Sequence, residues 1–401
     1  MYKEFKYVIL GAGPSGLSFA HRLLENGETS FLIVEKENIG GGLCRSKDID
    51  GSPLDIGGGH FLDVRKKNVL DFLFKFLPED EWNKFERISK IIIRENEIDY
   101  PFESNIWQLP ADEQIEYLIS ISQAGCNNNK PMPDKFKDWI YWKLGNKIAE
   151  EYMIPYNNKI QSIDLDRLGT YWLYKLPDVS FRDTLESCLK KQQSGTIPAH
   201  AHFLYPKNFG YGEVWNRMAT AIKDNIEFNT SVESVDFNTL VINNKYKAQI
   251  IINTIPWIEL VGSIGIPDQI INEINTLEYN SIDVTYYDES VDTSAHWTYI
   301  PDESISHHRI LYRKNFCANS IGYWTETNSK RSISGSNWKH TNKYAYPLNT
   351  IEKPKSINAI REWSESKFVY GLGRWGEWEH MNSDVAVEKG LNLADFLIGK
   401  L

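Results

Sequence analysis

The sequence predicts an α/β fold in which a parallel, Rossmann-like sheet is entered three times and interrupted by two insertions. Three observations predict it. A glycine-rich turn joins an apolar strand to an amphipathic helix near the start of the chain. Apolar residues recur at three- and four-residue spacing between 111 and 195, which is the helical period. Short alternating segments from about 280 to 350 read as an antiparallel sheet, after which "KFVYGLG" returns to the parallel one.

The chain has 401 residues, room for two or three domains, and its 41% hydrophobic content suffices for a sizeable core. A net charge of −10 argues against a broad nucleic-acid or anionic-membrane surface, although a few local arginines could still hold a small anion. Cys44, Cys126, Cys188 and Cys317 form no C-x-x-C and no even ladder. Without a signal peptide, they predict reduced thiols and a cytoplasmic protein. The longest apolar stretch, "AQIIINTIPWIELVGSIGI", is broken by Asn253, Pro256 and Glu259, so no membrane span is expected.

The first element, "FKYVILGAGPSGLSFAHRLLENG", opens on an apolar run of the buried parallel type, Tyr7 to Leu10. Gly11, Gly13 and Gly16 follow in G-x-G-x-x-G spacing. Gly11 permits the tight turn, Gly13 lets backbone N–H groups approach a pyrophosphate, and Gly16 lets helix and strand pack closely. A second strand, "SFLIVEKE", ends at Glu35, placed to hydrogen-bond a ribose hydroxyl. A dinucleotide is therefore expected. The next stretch, "NIGGGLCRSKDIDGSPLDIGGGHF", adds a second glycine cluster, Arg45, and a third cluster at Gly57 to Gly59. That is more than NAD needs, and it suits non-covalent FAD, approached by backbone along its length.

This region resembles the large FAD superfamily of amine oxidases, protoporphyrinogen oxidase and sugar-nucleotide mutases. The resemblance implies that the segment with Gly42 and Arg45 lines the pyrophosphate. It also implies that Gly58 and Gly59 lie against the isoalloxazine, and that backbone near Val232 in "TSVESV" reaches the adenine.

Further along, 69 to 90 reads as helix and turn, and "KIIIRENEIDYPF" as a short hairpin. Three helical segments follow, two of them separated by the loop "CNNNKPMPDK". "FLYPKNFGYGEVWNRMATAIKD" reads as strand, glycine loop and helix, leading into a β-meander. The expected organisation is a discontinuous Rossmann-like FAD-binding domain (1–90, 200–275 and 350–401). Into it are inserted a helical domain (91–199) and an antiparallel β-sheet substrate domain (276–349).

Other stretches narrow the resemblance. "YPFESNIWQLPADEQ", "IAEEYMIPYNNKIQSIDLDRL", "HWTYIPDESISHHRI", "KYAYP" and "GLGRWGEW" are similar, in order along nearly the whole chain, to the eukaryotic-type UDP-galactopyranose mutase family. What this implies is an isomerase of pyranose and furanose nucleotide sugars that works only with reduced flavin. The flavin N5 attacks the anomeric carbon, displaces the nucleoside diphosphate and holds the sugar as an adduct while its ring reopens. The partners implied are a nucleotide sugar and an external reductant such as NAD(P)H or a flavin reductase. No nucleic acid or membrane partner is expected, and a homo-oligomer is left open.

Carried over residue by residue, Arg309 matches an arginine that holds the diphosphate, and Tyr299 and Tyr346 match tyrosines that contact it. His60 matches the histidine beside the flavin, and Tyr100 and Phe102 the aromatic pair near the nucleobase. Asn157 and Trp172 line the same cleft, while Gly373 and Arg374 belong to the segment closing over the flavin. The family pattern fails at four places, all on the nucleotide side. Lys175 stands where a second diphosphate arginine is expected, and Glu103 where a glutamine reads uracil. His200 replaces an asparagine and His380 a phosphate-contacting tyrosine. These departures imply altered nucleotide or sugar specificity.

His200 and His202 have metal-like spacing on a strand, but no third ligand stands out and no metal is expected. Two other functions share the signature: an amine-oxidase or protoporphyrinogen-oxidase type of oxidoreductase, and a catalytically silent flavoprotein that binds nucleotide sugars.

Overall fold

The structure, a computed structural model, describes residues 1–173, 176, 178–195, 201–333, 335 and 338–400. Lys175 and His200 lie outside the described residues. At the centre is a parallel sheet in which Lys3–Leu10 pairs with Phe31–Val34 on one side and Tyr246–Asn253 on the other. Ile226–Glu227 extends it beyond Phe31–Val34, and Val369–Gly371 joins Tyr246–Asn253, so the sheet is entered three times, as expected. The meander strands Val235–Asp236 and Val241–Ile242 turn back antiparallel at its edge.

The first strand is apolar without alternation because both faces are covered. Tyr7 and Ile9 point into a core shared with Leu17, Phe19 and Val387, from the helices Pro14–Glu25 and Ser383–Lys400. Val8 and Leu10 point into a second core with Ile270, Ile274 and Ile360, from the helices Asp268–Asn275 and Lys353–Glu365. Burying such side chains contributes about 1.5–3 kcal/mol each relative to exposure.

A second, seven-stranded sheet runs in the order Trp338–Pro347, Tyr279–Tyr287, Tyr323–Asn328, Arg309–Tyr312, Trp297–Tyr299, Ser89–Ile93, Asn96–Asp99. It is antiparallel except where Trp297–Tyr299 meets Ser89–Ile93. The expected hairpin at 89–99 therefore pairs into this sheet, across the expected boundary at 90/91. The strand Trp82–Glu86, in a stretch read as helix and turn, joins Leu62–Asp63 and His202–Pro206 in a small third sheet. Such pairing over more than a hundred residues leaves no local sequence signal.

The helical insertion packs Ala111–Ser122 against Phe136–Ile148. Gly145 breaks the second helix at φ +74°, and a Cβ there would lie 2.4 Å from the Ser120 carbonyl oxygen. Only glycine permits both the turn and the approach. The chain continues through a π-helical turn, Ala149–Met153, into the helix Ile154–Gln161. The wider turn re-aims Tyr152, Met153, Tyr156 and Asn157 toward one cleft. Among the described residues no helix is long and apolar enough to cross a membrane.

Candidate cofactor and substrate site

Two cavities meet at His60, Arg374 and Asn382, which line both. The first, about 350 Å³, opens outside the carboxyl ends of the parallel strands, where α/β sheets bind ligands. Gly11, Gly13, Glu35, Gly42, Arg45 and Val232 all line it. Gly11 turns at φ +100°. A Cβ on Gly13 would meet no protein atom within 4 Å, so the space it leaves belongs to the cavity. A Cβ on Gly16 would lie 2.3 Å from the Gly11 carbonyl oxygen, so Gly16 serves packing and does not line the cavity.

Glu35 is buried, and its carboxylate accepts the Ala12 N–H at 2.6 Å and the Glu37 N–H at 2.9 Å. Burial raises its pKa while those donors oppose the shift. Each oxygen is thereby oriented with a lone pair to spare for a ribose hydroxyl. Arg45 is fixed by an ion pair to Glu37 at 2.9 Å and by its Nε donating to the Gly42 carbonyl at 2.8 Å. These features fit an extended dinucleotide.

The second cavity, about 320 Å³, lies between the antiparallel sheet and the helical lobe. Tyr100, Glu103, Asn157, Tyr299, Arg309, Tyr346 and His380 all line it, so most of the expected substrate residues are brought together. Asn157 is held by its Nδ2 donating to the Met153 carbonyl at 2.8 Å, and His380 packs on Tyr346 at 4.9 Å between ring centres. His60, at the junction, has its pKa pushed down to about 3, mainly by burial and then by the Arg374 charge, so its ring is neutral. Arg374 donates to the carbonyls of Ala345 and Met381 at 2.9 and 2.7 Å.

Three expectations are corrected by the packing. Phe102 is fully buried between Tyr117 and Tyr152, behind the cleft wall and not in it. Trp172 packs on Phe136 and donates to the Gly169 carbonyl at 2.8 Å, also outside the cavity. The late glycines approach protein: a Cβ on Gly57 would lie 1.6 Å from the Leu43 carbonyl oxygen. One on Gly58 would lie 2.8 Å from Glu326 Oε1, and one on Gly373 2.1 Å from Ser15 Oγ. Gly58 and Gly373 line neither cavity, whereas Gly59 reaches the second.

Two residues were missed. Arg87 lines the second cavity, with its guanidinium carbon 4.1 Å from the Tyr100 ring centre and 4.8 Å from that of Trp297. Its Nη2 donates to the Tyr299 hydroxyl at 3.1 Å. Glu326, completely buried, accepts two-pronged donation from Arg309 and the Gly59 N–H. His308 is buried beside Glu326 at 3.6 Å. Trp378 is core, while Trp375 lines the first cavity. His202 is exposed, and among the described residues no group of His, Cys, Asp or Glu is arranged to hold a metal.

The family model of the NAD(P)-binding Rossmann-like domain matches residues 9–76. An uncharacterized protein in the nifH2 3′ region of Methanothermococcus thermolithotrophicus is 34% identical over 101 residues, 23% of this chain and 96% of that protein. UDP-galactopyranose mutase of Mycoplasma pneumoniae is 30% identical over 126 residues, 30% of this chain but only 31% of that enzyme. Among solved structures, reduced UDP-galactopyranose mutase superposes with a TM-score of 0.89 at 21% identity, over 99% of this chain and 94% of that one. A putative protoporphyrinogen oxidase from Exiguobacterium sp. 255-15 follows at 0.73 and 13% identity, with full coverage of both.

Proposed function

We propose that this chain, which has the UDP-galactopyranose mutase-like fold shared with FAD oxidases, interconverts pyranose and furanose forms of a nucleotide sugar and depends on reduced flavin. The observation that carries this reading is the meeting of the two cavities. A dinucleotide cradle runs into an aromatic, arginine-lined cleft at His60 and Arg374. Gly11, Gly13, Glu35, Gly42, Arg45 and Val232 would hold FAD in the cradle. When bound and reduced, its flavin would supply the nucleophilic nitrogen for the anomeric carbon of the sugar.

The chain's own part is to bind and stabilise the diphosphate as it leaves and returns. Arg309 gives its Nε and Nη2 to Glu326, which fixes the guanidinium plane and leaves Nη1 for phosphate oxygens. Because Glu326 neutralises Arg309, Arg87 and Arg374 supply the remaining positive charge. Arg87, stacked on Tyr100 and Trp297 and donating to the Ser89 and Tyr299 hydroxyls, adds a planar cation to the cleft wall. Fixed cations aimed at developing charge lower the barrier without reorganising. Tyr299 and Tyr346 flank the same path. The neutral His60 ring contributes hydrogen bonding without charge. Reduction comes from an external donor such as NAD(P)H or a flavin reductase.

The fold likeness to a protoporphyrinogen oxidase favours one second reading, an FAD oxidoreductase. Three arginines against two carboxylates in and behind the cleft disfavour a cationic amine substrate there. The separating experiment is Arg309→Lys, which keeps a partner for Glu326 but loses the Nη1 donor left for phosphate. Nucleotide-sugar affinity should fall about tenfold or more with FAD content retained. Unchanged affinity would remove the diphosphate role.

A further inference from the structure

Glu103 is 8% exposed and lines the second cavity, near the rings of Tyr100 and Tyr152. It sits in a one-turn 3₁₀ segment, Phe102–Ser104, whose flanking residues are fully buried. The turn is pinned by Asn105, whose Nδ2 donates to the Pro101 carbonyl at 2.9 Å. Its own backbone N–H and the more distant charge of Lys143 favour its ionised form, and among the described residues no other side chain is seen to donate a hydrogen bond to it. A buried carboxylate held this rigidly, with no side-chain donor, is costly unless a ligand brings donors to it.

The common bases differ in what they offer. Uracil presents one N–H between two carbonyl acceptors, so a carboxylate accepting it sets its second oxygen against a carbonyl. Adenine and cytosine each present an amino group beside a ring-nitrogen acceptor. Guanine alone presents two adjacent donors, N1–H and N2–H, at the spacing of two carboxylate oxygens. The aromatic walls suit a flat ring, and the arginines, acting on other parts of the cleft, suit the diphosphate.

We infer that the second cavity takes a guanosine diphosphate sugar, with Glu103 accepting both N–H donors of the guanine edge. This rests on the nucleotide-sugar reading of the cleft. Burial raises the Glu103 pKa, and a protonated carboxyl would imitate an amide and suit uracil instead, so pH separates the two.

Titration calorimetry on the FAD-loaded protein, with GDP and UDP at about pH 6 and about pH 8, tests this. At the higher pH, GDP should bind about tenfold or more tighter than UDP. Glu103→Gln, which offers one donor and one acceptor, should weaken GDP, strengthen UDP and abolish that preference. UDP binding more tightly than GDP at about pH 8, or a ratio unmoved by Glu103→Gln, would overturn the inference and leave the nucleotide-sugar reading standing. So would UDP preferred at about pH 6 and lost at about pH 8, which would assign uracil to a protonated Glu103. Binding of neither nucleotide would overturn the nucleotide-sugar reading together with it.

Discussion

Arg309 and the buried Glu326 form a two-pronged pair across adjacent strands, Nη2 to Oε2 at 2.6 Å and Nε to Oε2 at 3.0 Å. The same carboxylate takes the Gly59 N–H at 2.6 Å, tying Arg309 to the loop that carries His60. Glu326→Ala leaves the mostly shielded Arg309 without its partner and should cost about 3 kcal/mol in urea unfolding, the low end for a buried pair. Burial penalises the Glu326 charge, but Arg309 and the other donors outweigh it and hold its pKa below the ordinary 4.5. A carboxylate with a depressed native pKa contributes fully above the unfolded value and loses that contribution as pH falls toward the native one. The stability gap between native protein and Glu326→Ala should therefore narrow below about pH 4.5.

The two helix-turn glycines should fail in different ways. Gly16→Ala drives a methyl into the Gly11 carbonyl and should lower the Tm of the cofactor-free protein by several degrees, about 1–3 kcal/mol. Gly13→Ala adds a methyl only to the cavity. Its cofactor-free Tm should be unchanged while flavin retention falls. Equal Tm losses for both would contradict the assignment of Gly13 to the ligand.

Arg87→Lys keeps the charge but loses the planar stack on Tyr100 and Trp297 and the fork. Nucleoside diphosphate affinity should drop about tenfold, with no change in flavin content. Affinity equal to that of the native protein would show that Arg87 only props the Tyr299 hydroxyl.

The stability contributed through His296 should rise with pH between about 4 and 6.5. Burial pushes the His296 pKa down to about 4, so the folded ring stays neutral where the unfolded one is protonated. The unfolded state then binds more protons, and stability falls as pH drops below 6.5 toward the native value. Its Nδ1 accepts the Ile88 N–H at 3.1 Å, an acceptor that glutamine can replace. His296→Gln should reduce the proton uptake on unfolding at pH 5 by about one, measured by acid titration of the unfolding free energy.

The local motifs were legible because their physics is local. A glycine turn after an apolar strand, with an acid about twenty residues on, needs no distant partner to be read. The cleft was legible in outline through ordered family segments, yet Phe102 and Trp172 turned inward. An aromatic residue beside a cleft and one behind its wall carry the same sequence pattern. Gly57 and Gly373 explain themselves only in three dimensions, against Leu43 and Ser15, residues that sequence distance hides. Glu326 and Arg87 were passed over because the partners that place them beside the cleft come from other strands.

In the proposed isomerisation, the flavin ends each turnover reduced. The direct measurement follows a panel of nucleotide sugars with the prereduced, FAD-loaded protein under anaerobic conditions, resolving pyranose from furanose products by chromatography. Isomerisation should give many turnovers per reducing equivalent and none with oxidised flavin. Product formed only in proportion to an electron acceptor consumed would contradict it.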